Sequence, residues 1–152
     1  MTADPSSEER ELTEAELAAW HGMLTAHAAL IRELDRQLRA VHGLGVPEFD
    51  VLITLFNGAE RGVRMTDLAK AIMLSPAGLT HMVTRLERDR LVERAVDAAD
   101  RRSFLVRLTP DGRARLDTAR VTHKAVIHAH FTARLTGGQL EELASIWAAL
   151  LR

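Results

Sequence analysis

The chain has 152 residues, 47% of them hydrophobic and 4% aromatic; it suits one compact domain, or a subunit that completes its core by pairing, and is too apolar for a disordered tail. It contains no cysteine, which excludes disulfides, cysteine catalysis and thiol redox sensing and accords with a cytoplasmic location. The net charge of −1 hides a division: residues 1–60 carry four Arg/Lys against eleven Asp/Glu, residues 61–115 twelve against seven, and residues 116–152 four against three, so a polyanion would be held by the middle of the chain rather than its ends.

The opening MTADPSSEERE is polar, lacks the basic and apolar regions of a signal peptide, and is expected to fray over residues 1–11. No later apolar run is long enough to cross a membrane. Thr13 followed by Glu16 forms a capping box that starts a helix. Leu17, Leu24, Ile31, Leu38 and Trp20, His27, Leu34, Val41 then make two seven-residue series, a heptad seam with one histidine in it. At 1.5 Å per residue this helix is about 40 Å long, more than one small domain needs. Residues 12–46 are therefore expected to form an N-terminal dimerisation helix; the plainer alternative is a seam that covers the chain's own core.

Gly43 and Gly45 end this helix, and Pro47 at the first helical position opens the next, with Phe49, Leu52, Ile53 and Phe56 as its buried face. Asn57-Gly58 ends that helix, and GAERGVR reads as a loop. Thr66 is the expected cap of a short helix, with Asp67 in its first turn and Leu68, Ala69 and Ile72 facing inward. Leu74-Ser75-Pro76 is the strongest punctuation in the chain. Ser75 caps and Pro76 opens a second helix after a turn of about three or four residues, the pattern of a helix-turn-helix. In this second helix, Pro76 to about Asp89, Leu79, Met82, Val83 and Leu86 point to the core. Ala77, Gly78, Thr80, His81, Thr84, Arg85 and Arg88 face outward, small at first and then polar and basic, a surface that fits the major groove. Gly78 costs the helix about 0.8–1 kcal/mol relative to Ala; close approach to a backbone or base edge would explain it, as would a neutral surface position.

After the turn Asp97-Ala98-Ala99-Asp100, Phe104, Val106 and Leu108 alternate with Ser103, Leu105 and Arg107 as the return strand of a hairpin with Arg101 and Arg102 at its tip. Thr109-Pro110 opens a helix to about Leu135, with Leu116, His123, Val126 and His130 along one side. A second capping box, Thr136 with Gln139, starts the last helix, whose stripe Leu140, Leu143, Trp147 and Leu150 suits packing against a partner. Helix, turn, helix and hairpin make a winged helix-turn-helix. The fold class is mainly α with a small β-hairpin wing: a DNA-binding domain over residues 47–115 and C-terminal dimerisation helices over 116–152. With the recognition helix in the major groove, Arg101 and Arg102 reach the adjacent minor groove, whose negative potential over A·T-rich sequence attracts arginine. Asp97 and Asp100 can pair with one of these arginines and fix its direction. Alone, DAADRR would read as a solvated turn; its place directly after a helix-turn-helix reverses that reading.

The segment LAKAIMLSPAGLTHMVTRLERDRLVERAVDAADRRSFLVRLTPDG resembles the MarR family of bacterial transcriptional regulators. The likeness rests on Leu68-Ala69, Leu74-Ser75, Leu86-Glu87, Leu91-Val92, Arg94, Asp97-x-x-Asp100-Arg101-Arg102 and Leu108-Thr109-x-x-Gly112, and is strongest over residues 47–115. It implies a winged-helix homodimer with intertwined first and last helices. It further implies a repressor that binds palindromic operators on double-stranded DNA and is released by a small, phenolic or urate-like anion. Ser75, Ala77, Gly78, Thr80, His81 and Arg85 would contact DNA, Thr66 would sit near the backbone, and Arg101 or Arg102 would probe the minor groove. The family commonly has Gly where this chain has Arg90, so Arg90 must accept strain or end the helix another way. The family's effector site lies between the DNA-binding lobe and the dimerisation helices, a region that Trp20, His27, Phe49, Asp50 and Ile53 can reach. Trp20 and Asp50 resemble the urate-responsive branch, which pairs a Trp and an Asp with arginines; Arg85 and Arg94 are the candidates here. Trp20 and His27 also fit as plain seam residues.

Other chemistry finds little footing. His128 and His130 point to different helix faces, and His123 and His130 lie two turns apart with no carboxylate between them, so no zinc site is expected. Ser75 and His81 have structural roles, and no third group orients the histidine. With no phosphate-cradling glycine loop either, neither an enzyme nor a cofactor is expected. The rival reading is a winged-helix module that binds protein; its recognition face should be apolar, whereas this one is Thr, His and Arg.

Overall fold

The computed structural model describes residues 10–58, 61–98, 100 and 103–152. The elements follow in the order α1 (Glu14–His42), α2 (Val46–Asn57), β1 (Val63–Arg64), α3 (Met65–Ala71), α4 (Pro76–Arg88), β2 (Val92–Val96), β3 (Phe104–Leu108), α5 (Pro110–His130), a 3-10 turn (Thr132–Arg134) and α6 (Gly137–Leu150). Both expected capping boxes form, Thr13 with Glu16 and Thr136 with Gln139, and each satisfies N–H groups that a helix start leaves without partners. Among the described residues, no helix is long and apolar enough to cross a membrane.

The core sits in the middle of the chain. Leu38 of α1, Leu52 of α2, Leu68 of α3, Leu79 and Leu86 of α4 and Leu116 of α5 are each at most 1% exposed. Burying such a side chain contributes about 1.5–3 kcal/mol, so these leucines fix the relative positions of the helices. Arg113 and Arg120 of α5 lie over the Phe56 ring, 5.1 and 4.9 Å from its centroid, and tie α5 to α2. The terminal helices differ. α6 buries no residue, and α1 buries only Leu34 and Leu38. Leu17, Trp20 and Leu24 of α1 and Ile146, Trp147 and Leu150 of α6 are exposed.

The wing departs from the expected hairpin in having three antiparallel strands, in the order β1-β3-β2. β1 comes from the segment read as a loop and pairs Val63 with Val106 and Arg64 with Leu105. The hairpin itself runs from Val92 opposite Leu108 to Val96 opposite Phe104. The chain passes from β1 straight into α3, so Arg64, still extended at φ −67° and ψ 145°, occupies the cap position. Thr66 is thus the second helical residue and not the cap. Pro47 is likewise second in α2, behind Val46, with Gly45 at the cap. The alternation expected in β3 also breaks: Leu105 is buried along with Val106, and Phe104 is exposed. Gly62 covers Leu105, whose Cβ lies 3.1 Å from where a glycine Cβ would be, while Phe104 pairs with exposed Val96 at the outer end of the hairpin. α5 stops at His130 because Phe131 leaves helical geometry at φ −132° and ψ −72°, and the chain tightens into the 3-10 turn.

Candidate nucleic-acid interface

α4 begins as its sequence dictates. Ser75 is extended, and its Oγ accepts the Gly78 N–H at 3.1 Å. A Cβ on Gly78 would meet only this Oγ, at 3.1 Å. The glycine therefore keeps the capping hydroxyl unhindered, a reason internal to the helix that sequence reasoning missed. Thr80 Oγ1 donates to the Pro76 carbonyl at 2.8 Å and Thr84 Oγ1 to the Thr80 carbonyl at 2.9 Å, which leaves the Thr80 oxygen as an outward acceptor. Ala77, Thr80, His81, Thr84 and Arg88 are all exposed. The Arg88 side chain is 74% exposed, with Asp89 beside it at 3.5 Å.

Two ion pairs of opposite sense grip the flanks of this helix. On one side Glu87 meets Arg94 of β2 at 3.1 Å, and Arg94 also donates to Thr84 Oγ1 at 3.1 Å. On the other side Arg85 pairs with Glu48, in the first turn of α2. The Glu48 side chain is 5% exposed and that of Arg85 47%. The guanidinium expected to face outward thus runs along the flank toward α2. Breaking a buried pair by removing one partner costs about 3–5 kcal/mol, whereas a bidentate base contact is worth about 1–3 kcal/mol. Glu48 therefore has the stronger hold on Arg85. The sequence reading did not single out Glu48.

Arg90 does accept the strained conformation. Its φ is 60°, its N–H donates to the Glu87 carbonyl at 2.9 Å, and the Leu91 N–H donates to Leu86 at 2.9 Å. This is a Schellman ending with a side chain where glycine is usual, at a cost of about 1–2 kcal/mol. Thr109 Oγ1 donates to the Arg90 carbonyl at 2.6 Å and itself accepts the Gly112 N–H at 2.9 Å to cap α5. A Cβ on Gly112 would lie 1.8 Å from the Leu91 carbonyl oxygen. The end of α4 and the start of α5 are therefore knotted together. Met73, at φ 54° in the turn between α3 and α4, is exposed, as is Thr66 in α3.

At the outer end of the wing, the buried carboxylate of Asp97 accepts from Arg64 Nη2 at 2.8 Å and Nε at 3.2 Å. These bonds hold the Arg64 guanidinium pKa above its ordinary value. The Asp97 N–H donates to the Ser103 carbonyl at 3.0 Å and closes the hairpin. Arg101 and Arg102 lie outside the described residues.

Of the expected effector residues, Phe49 and Asp50 come together with His123 of α5. The Phe49 and His123 rings stack at 4.6 Å. Burial pushes the Asp50 carboxyl up and the His123 imidazole down, while Asp50 draws His123 the other way. His42 touches the residue before His123: its Nε2 lies 2.8 Å from Thr122 Oγ1, and burial, then Arg115, push its pKa down. Ile53 is half-buried on the same helix as Phe49. Trp20 and His27 are exposed on α1. α1 meets α2 at Asp35, which accepts the Val46 N–H at 3.0 Å, and Trp20 lies about 22 Å further along the axis at 1.5 Å per residue. Arg85 and Arg94 are engaged by Glu48 and Glu87. Among the described residues, no three metal-ligating side chains gather.

Two helices joined by a turn, a three-stranded wing and long flanking helices define a winged helix-turn-helix protein. The MarR family model matches residues 42–103. AbsC, a MarR family transcriptional regulator from Streptomyces coelicolor, is 31% identical with a TM-score of 0.85, over 93% of this chain and 95% of AbsC. Sco3205, a MarR family regulator from the same organism solved in complex with DNA, is 30% identical with a TM-score of 0.85, over 93% of this chain and 92% of Sco3205. The transcriptional repressor YetL of Bacillus subtilis (strain 168) is 32% identical over 90 residues, 59% of this chain and 54% of YetL. The chain spans between 54% and 63% of the length of the curated relatives it matches. It belongs to the MarR family of transcriptional regulators.

Proposed function

We propose that the chain is a homodimeric repressor that binds a palindromic operator and lets go when a small anion binds. The observation that carries this is the exposed α4 face, where Ala77, Thr80, His81, Thr84 and Arg88 stand outward from a helix capped by Ser75. Such a face suits the major groove, and Sco3205, with the same fold, is solved with DNA. Thr66 stands near the backbone, and Arg101 and Arg102 serve the minor groove. The exposed apolar residues of α1 and α6 support residues 12–46 and 116–152 as the dimerisation parts around a DNA-binding lobe over 47–115. The joint of Phe49, Asp50 and His123, where the lobe meets α5, is the effector region, and phenolic and urate-like anions are the class to try.

Selection from a random duplex pool tests the reading. The expected result is a palindrome with half-sites about 34–36 Å apart, bound with a loss of about 10³–10⁵ in affinity between 50 and 200 mM salt. A pool without two-fold symmetry, or binding indifferent to salt, would overturn it.

A further inference from the structure

We infer that Glu48 is a specificity-determining residue that holds Arg85 of the recognition helix away from DNA. This rests on the DNA-binding reading above. Arg85 is one of two arginines in the last turns of α4, and the outward-facing geometry of that helix would let it add a phosphate contact of no sequence content. It is instead turned to Glu48 Oε1. Arg85 is the partner that the described residues give this carboxylate: its other oxygen, Glu48 Oε2, is buried and has no hydrogen-bond partner among them. Gly45 makes the room for it, since a Cβ there would lie 2.5 Å from Oε2 and 2.3 Å from Arg39 Nη2. A phosphate outside the protein cannot compensate a carboxylate left uncovered inside it, so Arg85 stays with Glu48 when DNA arrives. On the opposite flank the helix contributes the carboxylate instead, Glu87, paired with Arg94 of β2. The helix then meets DNA through its middle line, Ala77, His81, Thr84 and Arg88, at a fixed rotation about its own axis. Glu48 acts as a positioning residue: it removes one sequence-blind contact and sets the angle of those that read bases.

Glu48→Gln tests this, because it preserves shape and frees a guanidinium that is already half in solvent. Affinity for random duplex is followed against salt for the wild type, Glu48→Gln, Arg85→Ala and the Glu48→Gln/Arg85→Gln double variant. Releasing Arg85 to a phosphate should steepen the log–log slope in Glu48→Gln by about 0.9, so that the loss between 50 and 200 mM salt grows by about 3.5-fold. The preference for operator over random DNA should fall with it. Arg85→Ala should keep the wild-type slope, and the double variant should return to it. Glu48→Asp should stay near the wild type. An unchanged slope in Glu48→Gln, or a slope shallower by about 0.9 in Arg85→Ala, would overturn the inference while leaving the regulator reading intact. A wild-type chain with no salt-dependent duplex binding would overturn both.

Discussion

The winged lobe and the terminal helices solve opposite problems. In the lobe most of the large apolar side chains are consumed within the chain, Met73, Val96 and Phe104 excepted: Leu52, Leu68, Leu79, Leu86 and Val106 are shut from solvent, and Arg85 and Arg94 at the flanks of α4 are paired with carboxylates. In α6 and the first half of α1, Leu17, Trp20, Leu24, Trp147 and Leu150 remain open. A single chain thus finishes the part that would meet DNA and leaves unfinished the part that would meet a second copy. The difference places the buried core in the lobe and the open apolar side chains at the ends, and each can be struck separately.

Gly112→Ala should strike the lobe hardest. The added Cβ enters the Leu91 carbonyl, and a loss of about 3 kcal/mol is expected from overpacking, read as a lower urea midpoint; a neutral result would show that the α4–α5 knot yields. Next, Leu24→Glu with Trp147→Glu should leave each lobe folded and split the dimer. At about 1.5–3 kcal/mol per buried side chain, the dissociation constant should rise at least about 100-fold in sedimentation equilibrium, and an unchanged mass would remove α1 and α6 from the interface. Arg90→Gly should stabilise the lobe by about 1 kcal/mol, because glycine takes φ 60° without the penalty. No gain in melting temperature would mean that the Arg90 side chain repays its strain.

The smallest effect is one of pH, at the joint between the two regions. The folded state lowers the His123 pKa below 6.5, so between those values the unfolded chain binds more protons. Stability is then complete above about pH 6.5 and falls as the pH drops through the folded value. His123→Phe keeps a ring against Phe49 and should flatten this acid-side fall in thermal melts from pH 7 to 5; an identical fall would assign it to His42.

Much of this was legible because it is written locally. Ser75-Pro76, Thr13 with Glu16, and Thr136 with Gln139 announce helix starts within four residues, and each forms as expected. The question raised by Arg90 was also visible, and geometry supplied the answer. What stayed hidden depends on distant partners. Two residues of β1 become a strand only because Val106 and Leu105 lie alongside, and that pairing moved the α3 cap from Thr66 to Arg64. Periodicity placed Arg85 on the outer face of α4, but only the approach of α2 brings Glu48 to its flank. His123 entered the sequence reading as a metal candidate and proved to be the ring stacked on Phe49.

The knot of Arg90, Leu91, Thr109 and Gly112 makes α5 a crowbar whose short end is the reading head. From this fulcrum α5 runs from Pro110 to His130, about 30 Å at 1.5 Å per residue. A tilt of about 5° at the fulcrum therefore swings the far end by roughly 2.7 Å at that length. In any assembly gripped through α1 and α6, the spacing between two such heads is set by how the two crowbars lean.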